Sequence, residues 1–470
     1  MHKIINLPYF LLFLVIFSSS SCNQGFNSEK YDVDIILEAD HILTMNTSDI
    51  ILKNSAIAIN NGLIIDIDDK KIIAQKYRTG QRISGKNKIA LPGLINGHSH
   101  AAMTLLRGIA DDRSLIDWLN NYIFPLEQEF VDSEFVRIGT ELACWEMIRG
   151  GTTTFVDMYF YPDVISKVVA QCGLRGLISS TVSNNQTPNA ENAQDAINGG
   201  KEYIDHWKNK IPTITPILGP HAIYTLDLDQ LKETRRIANL TDTPISIHLS
   251  ESEFELNYSK STYGMTSIEA LDSIDFFNGR TIAAHVVWPT KKEIKILAER
   301  NVGVIHNPTS NMKLASGIAP ITEMLDAGIL IGLGTDGAAS NNDLDMWEEM
   351  RLAALLQKVT KMDPEVLPAI TVLRMATANA AKIIGLEKEI GRLEIGMKAD
   401  IIQVAFDDVH HQPNYDITSH LVYVTDEQDV ETVIVDGKLL MHKDQFFTLD
   451  TKKISEEVAI ITTKIANSIN

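Results

Sequence analysis

The chain has 470 residues, 44% of them hydrophobic, and a formal net charge of −19. This length and apolar content suit a large catalytic domain with a smaller companion and exclude a disordered chain. The acidic balance excludes a nucleic-acid binder or a protein held by anionic lipid, and three cysteines exclude a disulfide framework.

At the start, Lys3, an apolar run too short to span a bilayer comfortably and the small residues Ser18 to Ser21 precede Cys22. The pattern resembles a bacterial lipoprotein signal over 1–21, with Cys22 as the lipidated first residue and the polar stretch 22–32 as a tether. The expected address is exported, cell-envelope and membrane-associated through that lipid. Over 33–90, β-branched runs with an Asn61-Gly62 turn predict paired strands, and 388–448 repeats the pattern with Asp436-Gly437. The two ends are expected to build one small β-sandwich domain.

Between them, 91–387 carries eight apolar runs separated by helical stretches: "IALPGLINGHSH", "GTTTFVDMY", "LRGLISS", "ITPILGPH", "PISIHLSES", "TIAAHVV", "VGVIHNP" and "ILIGLGTDG". That alternation predicts an α/β fold, a (β/α)8 TIM-type barrel, with its site at the C-terminal strand ends. Cys144 and Cys172 fall in helical contexts as buried free thiols, and 449–470 reads as a C-terminal helix.

Nearly every run ends in an ionisable or hydroxyl residue. His98 and His100 project from one face of the first strand, roughly 6.5 Å apart along the backbone, so one metal ion can take both. His248, His285 and Asp336 end the fifth, sixth and eighth runs, and a barrel gathers them around one centre. Glu251, three residues after His248, can reach the space beside a metal and move protons, whereas Glu253 reads as a solvated loop charge. His221 ends the fourth run as either a ligand or a substrate contact. His306 is supporting or structural, and His2, His41, His206, His410, His411, His420 and His442 receive no role.

Taken together, "PGLINGHSHAAMTLLRG", "DWLNNYIFPLE", "GPHAIYTL", "HLSES", "HNPTSNMKLASG" and "GTDGAASNNDLDMWEEMR" resemble the amidohydrolase superfamily, in the branch of methylthioadenosine/adenosylhomocysteine deaminases and related chlorohydrolases. The resemblance implies one divalent metal, zinc before iron, on His98, His100, His248 and Asp336. It implies Glu251 as proton shuttle and substrate contact, His285 as the residue orienting the attacking hydroxide, and Asp336 as part of the catalytic set. Glu127 and His221 would contact the nucleoside. The implied reaction is hydrolytic attack on ring carbon six of an adenine-type base with release of ammonia.

One departure bears on the substrate. The resemblance implies that members accepting S-adenosylhomocysteine carry arginines after the third strand that can pair with its amino-acid carboxylate, whereas here no arginine occurs between Arg175 and Arg235. Methylthioadenosine or adenosine therefore fits better than S-adenosylhomocysteine. The competing readings are hydrolysis of another amino- or halo-heterocycle or cyclic amide, and a non-catalytic envelope binding lipoprotein. Expected partners are the small substrate and the membrane through Cys22, with no nucleic acid; a homo-oligomer is allowed.

Overall fold

The computed structural model describes residues 30–469, so the leader, Cys22 and most of the expected tether lie outside the described residues. Eight parallel strands follow one another in space as in sequence: β1 Leu94–Ser99, β2 Thr152–Tyr159, β3 Arg175–Val182, β4 Ile214–Pro220, β5 Ile245–Leu249, β6 Thr281–His285, β7 Gly303–His306 and β8 Ile331–Leu333. Their near-continuous apolar character reflects burial on both faces. Ile95, Val156, Leu177, Ile217, Ile282 and Ile305, from six strands, share one buried cluster with Ala380 and Ile383 of the helix Ala378–Ile384. The intervening helices start where the sequence supplies caps, and Asp227, Thr266 and Thr290 each form a reciprocal capping box.

Closure of the barrel occurs at the site itself. Asp336, just beyond β8, donates its backbone N–H to the carbonyl of His98 at 3.0 Å, and Ser99 and Asp336 form a parallel bridge. Gly334 permits this approach, since a Cβ there would stand 2.7 Å from the His98 nitrogen.

Nine strands from both chain ends form the second sheet. Ile35, Leu37, Ile57 and Ile59 from the start share a buried cluster with Ile401 and Ile434 from the end. Both expected turns occur, with positive φ at Asn61, Gly62, Asp436 and Gly437 as a two-residue hairpin requires. The first apolar run divides differently from the expected single strand. Lys88–Pro92 pairs antiparallel with Ile401–Ala405 in the chain-end sheet, and the barrel strand begins only at Leu94. The joint is Gly93, where any Cβ would collide with Thr153 at 2.1 Å. Tyr31–Asp32, expected in the tether, pairs with Tyr77–Arg78. Cys144 and Cys172 are free and buried, and the C-terminal helix runs Thr451–Ile469. Among the described residues no helix is long and apolar enough to cross a membrane.

Candidate active site

The C-terminal strand ends bring the sequence-predicted residues together. His98 lies within β1 and His100 one residue past it; His221 follows β4, His248 lies in β5, Glu251 follows β5, and His285 ends β6. The backbone is bent sharply here. Ser250, His285, Val286 and Asp336 all have positive φ, 52°, 73°, 46° and 64°, and for a β-branched valine that is a strained conformation. Hydrogen bonds hold the bend: Val286 N–H reaches Leu249 O at 3.0 Å and Val287 N–H reaches Ser250 O at 2.9 Å.

Four residues offer ligand atoms that all lie within 4.8 Å of one another: His98, His100, His248 and Asp336. His100 Nδ1 donates to Met158 O at 2.5 Å and His248 Nδ1 to His221 O at 2.8 Å. A carbonyl only accepts, so these bonds fix both tautomers and turn the two Nε2 atoms inward. Those Nε2 atoms stand 3.2 Å apart, with Asp336 Oδ1 3.0 Å from that of His100 and 3.4 Å from that of His98. His98 is fully buried, yet neither of its ring nitrogens has a hydrogen-bond partner. Converging lone pairs with no donor between them suit a cation.

The electrostatics agree. Burial drives His98 down to about 4. At His100 burial also opposes the charge, but the Asp336 carboxylate outweighs it and lifts the pKa to about 9. Burial pushes Asp336 up, but the imidazoles of His100 and His98 beside it hold it well below the usual carboxylate range. Its Oδ2 accepts from Ser310 and Ser340 at 2.7 and 2.8 Å, which fixes the plane of the carboxylate. Imidazoles plus a carboxylate, without thiolate, are a donor set for zinc-type divalent ions.

A cleft opens over this cluster, lined among others by Trp118, Glu127, His221, Tyr224 and Glu251. Burial raises the Glu251 carboxyl to about 7. Glu127, also raised by burial to about 7, accepts a hydrogen bond from Tyr159 Oη at 2.8 Å. His221, driven by burial to about 3, holds Thr225 Oγ1 at 3.2 Å through Nδ1. His285 Nδ1 donates to Asn311 Oδ1 at 2.9 Å, leaving its buried Nε2 without a partner. His306 is buried away from the cleft lining, and Glu253 is exposed, as expected.

Residues 89–440 match the sequence profile of the amidohydrolase family. The chain belongs to that family. The amidohydrolase is 43% identical over 432 residues to a 5-methylthioadenosine/S-adenosylhomocysteine deaminase of Carboxydothermus hydrogenoformans, covering 91% of this chain and 97% of the relative. It is 42% identical over 438 residues to a 5'-deoxyadenosine deaminase of Methanosarcina barkeri, covering 93% and 99%. Among solved structures it superimposes on a zinc-bound adenosine deaminase of Xanthomonas campestris with a TM-score of 0.91 and 34% identity, over 93% of this chain and all of that one.

Several residues that shape the amidohydrolase site escaped sequence reasoning. Glu255 is fully buried, and its carboxylate accepts the backbone N–H groups of Ser250 and Glu251 at 2.8 and 3.0 Å, so it sets the loop that presents Glu251. Asp157 accepts the Ala101 N–H at 2.6 Å and anchors the chain just after His100. Asn311 orients His285. Asp157 ends "FVD" as Asp336 ends "GTD", a signal that was available; Glu255 reads as one more acidic loop residue.

Proposed function

We propose that this amidohydrolase is a metal-dependent hydrolytic deaminase of adenine-type nucleosides, and that it prefers a small uncharged 5′ group. The general activity rests on the family relationship, the named relatives and the His98, His100, His248 and Asp336 cluster. In this reading those four residues hold one divalent ion, zinc before iron. When bound, that ion supplies Lewis-acid activation of water.

The chain's own groups do the rest. With its pKa near 7, Glu251 can pass one proton of the attacking water to the ring nitrogen and the second to the departing amine near neutrality. His285, held by Asn311 with its Nε2 free, accepts a hydrogen bond from that water and aims it. Asp336, kept ionised, balances charge among the imidazoles. Glu127 accepts ribose hydroxyls beside Tyr159, and His221 closes the nucleoside's other side.

One observation carries the preference. A second cavity continues from Glu127 and His221 beneath the loop after β3, lined by Ser183, Asn185, Gln186, Thr187 and Pro188, with no lysine or arginine among the described residues of its wall. Arg175 is committed to Asp400 at 2.9 Å, and Arg235 to Phe276 O and Thr281 Oγ1, both at 2.6 Å. An amino-acid carboxylate entering there loses water and gains no cation. Ammonia release should therefore be rapid from 5′-deoxyadenosine, methylthioadenosine or adenosine. With S-adenosylhomocysteine, kcat/KM should be about 10²-fold lower, the scale of about 2 to 3 kcal/mol for an unpaired charge. Equal rates on the homocysteine compound would remove the preference, and release of halide or a ring-opened acid instead of ammonia would replace the reaction.

The run before Cys22 supports export and lipid attachment at that cysteine. Metabolic labelling with a fatty acid tests it: label should enter the wild type and be absent from Cys22→Ser.

A further inference from the structure

Residues 406–429 form an excursion between the antiparallel neighbours Ile401–Ala405 and Val430–Val435 of the chain-end sheet. Its two ends meet, the short turn Val409–His411 lying against the turn Glu427–Asp429. His410 Nε2 stands 3.0 and 3.1 Å from the two carboxylate oxygens of Asp429, and His411 Nε2 stands 3.2 Å from Oδ2. One ligand atom from each of the three residues lies within 4.8 Å of the others.

His411 distinguishes this cluster from an ordinary ion pair. It is fully buried, its ring stacked on Phe406 at 4.1 Å and 19°, yet neither ring nitrogen has a hydrogen-bond partner. Its contact with Asp429 has the distance of a hydrogen bond without the direction. Leaving such a group unmatched costs about 1 to 3 kcal/mol, a cost that a cation accepting its lone pair removes.

We propose that His410, His411 and Asp429 form a second divalent-metal site, separate from the barrel centre, which pins the two ends of the 406–429 excursion. Two imidazoles and one carboxylate suit zinc, copper(II) or nickel(II) and not calcium or magnesium. His410 is exposed, which gives the ion an entry path and leaves coordination positions for water. No residue of the cluster lines the cleft, so the role is structural: a clip across a long connection limits the unfolded chain as well as ordering the folded one.

The test counts metal in the full chain. After saturation with zinc and desalting, the wild type should retain about two ions per chain, while His410→Ala and Asp429→Asn should each retain about one, with nucleoside turnover unchanged. About one ion in the wild type, or an unchanged second ion in both variants, overturns the proposal. Because the readout is metal content, it stands apart from the outcome of the substrate assays.

Discussion

The two ends of the barrel bury charge in opposite ways. At the strand starts, Arg175 and Asp400, each 2% exposed, pair through two hydrogen bonds of 2.9 and 3.2 Å, and Asp400 also accepts the Asp436 N–H at 2.7 Å. Both charges of that pair are matched within the protein. At the strand ends, His98 has no partner, two imidazole nitrogens face each other at 3.2 Å, and Val286 is held at an unfavourable φ. The same fold is internally complete at one end and needs an added group at the other, so perturbing each end should produce different losses.

The largest effect should come from emptying the strand-end site. Chelation should abolish ammonia release without unfolding the chain, and zinc should restore it; His98→Ala should stay inactive with zinc present because one of the four donors is gone. Full activity in chelator-treated protein of verified low metal content would mean that the strand-end site needs no ion. Next comes Glu251→Gln, which should keep the metal yet lower kcat by about 10²- to 10⁴-fold. In the wild type kcat should rise with pH through about 7 as Glu251 ionises, and the glutamine variant should lack that limb. A variant that keeps both rate and limb takes Glu251 out of the proton path.

At the strand starts the loss should be of stability alone. Asp400→Asn leaves the Arg175 guanidinium buried and unpaired, a cost of about 3 to 5 kcal/mol, seen as a lower denaturation midpoint while the folded fraction keeps its kcat and metal content. Replacing both partners, Arg175→Met with Asp400→Leu, should recover much of that loss. If Asp400→Asn instead lowered metal affinity at unchanged stability, the two ends would not be independent.

How much of this was legible in the sequence follows the same division. Strand-end residues announce themselves because an apolar run that stops at His, Glu or Asp has no structural need to do so; the run pattern therefore yielded the barrel, and family resemblance supplied the roles of Glu127 and His285. The supporting residues did not stand out. Glu255 and Asn311 act through contacts made only after helices and strands have closed around them, and in one dimension they read as polar loop residues. Gly93 could not be recognised as the boundary between two sheets, because the collision that demands glycine comes from Thr153, distant in sequence. His410 and His411, given no role from the sequence, gain meaning only from Asp429 on the far side of a long connection.

The smallest expected effect lies at the cleft's edge and separates substrate positioning from chemistry. Burial raises Glu127 to about 7, and the Tyr159 hydroxyl, by donating to the carboxylate, pulls against that rise. Removing the hydroxyl in Tyr159→Phe therefore moves the Glu127 pKa further up. If the ionised carboxylate receives ribose hydroxyls, KM should fall as pH rises through about 7 in the wild type, and in the variant that fall should shift to higher pH. At neutral pH the KM should be raised several-fold, the scale of about 1 kcal/mol for one hydrogen bond, with kcat nearly unchanged. The stability signs run the other way. A carboxyl whose folded pKa is raised contributes stability that is fully present below its ordinary value and is lost as pH climbs through about 7. Tyr159→Phe should extend that loss to higher pH, so binding improves over the same interval in which the fold pays for the buried charge. A variant whose KM profile matches the wild type would place the ribose contact elsewhere in the cleft.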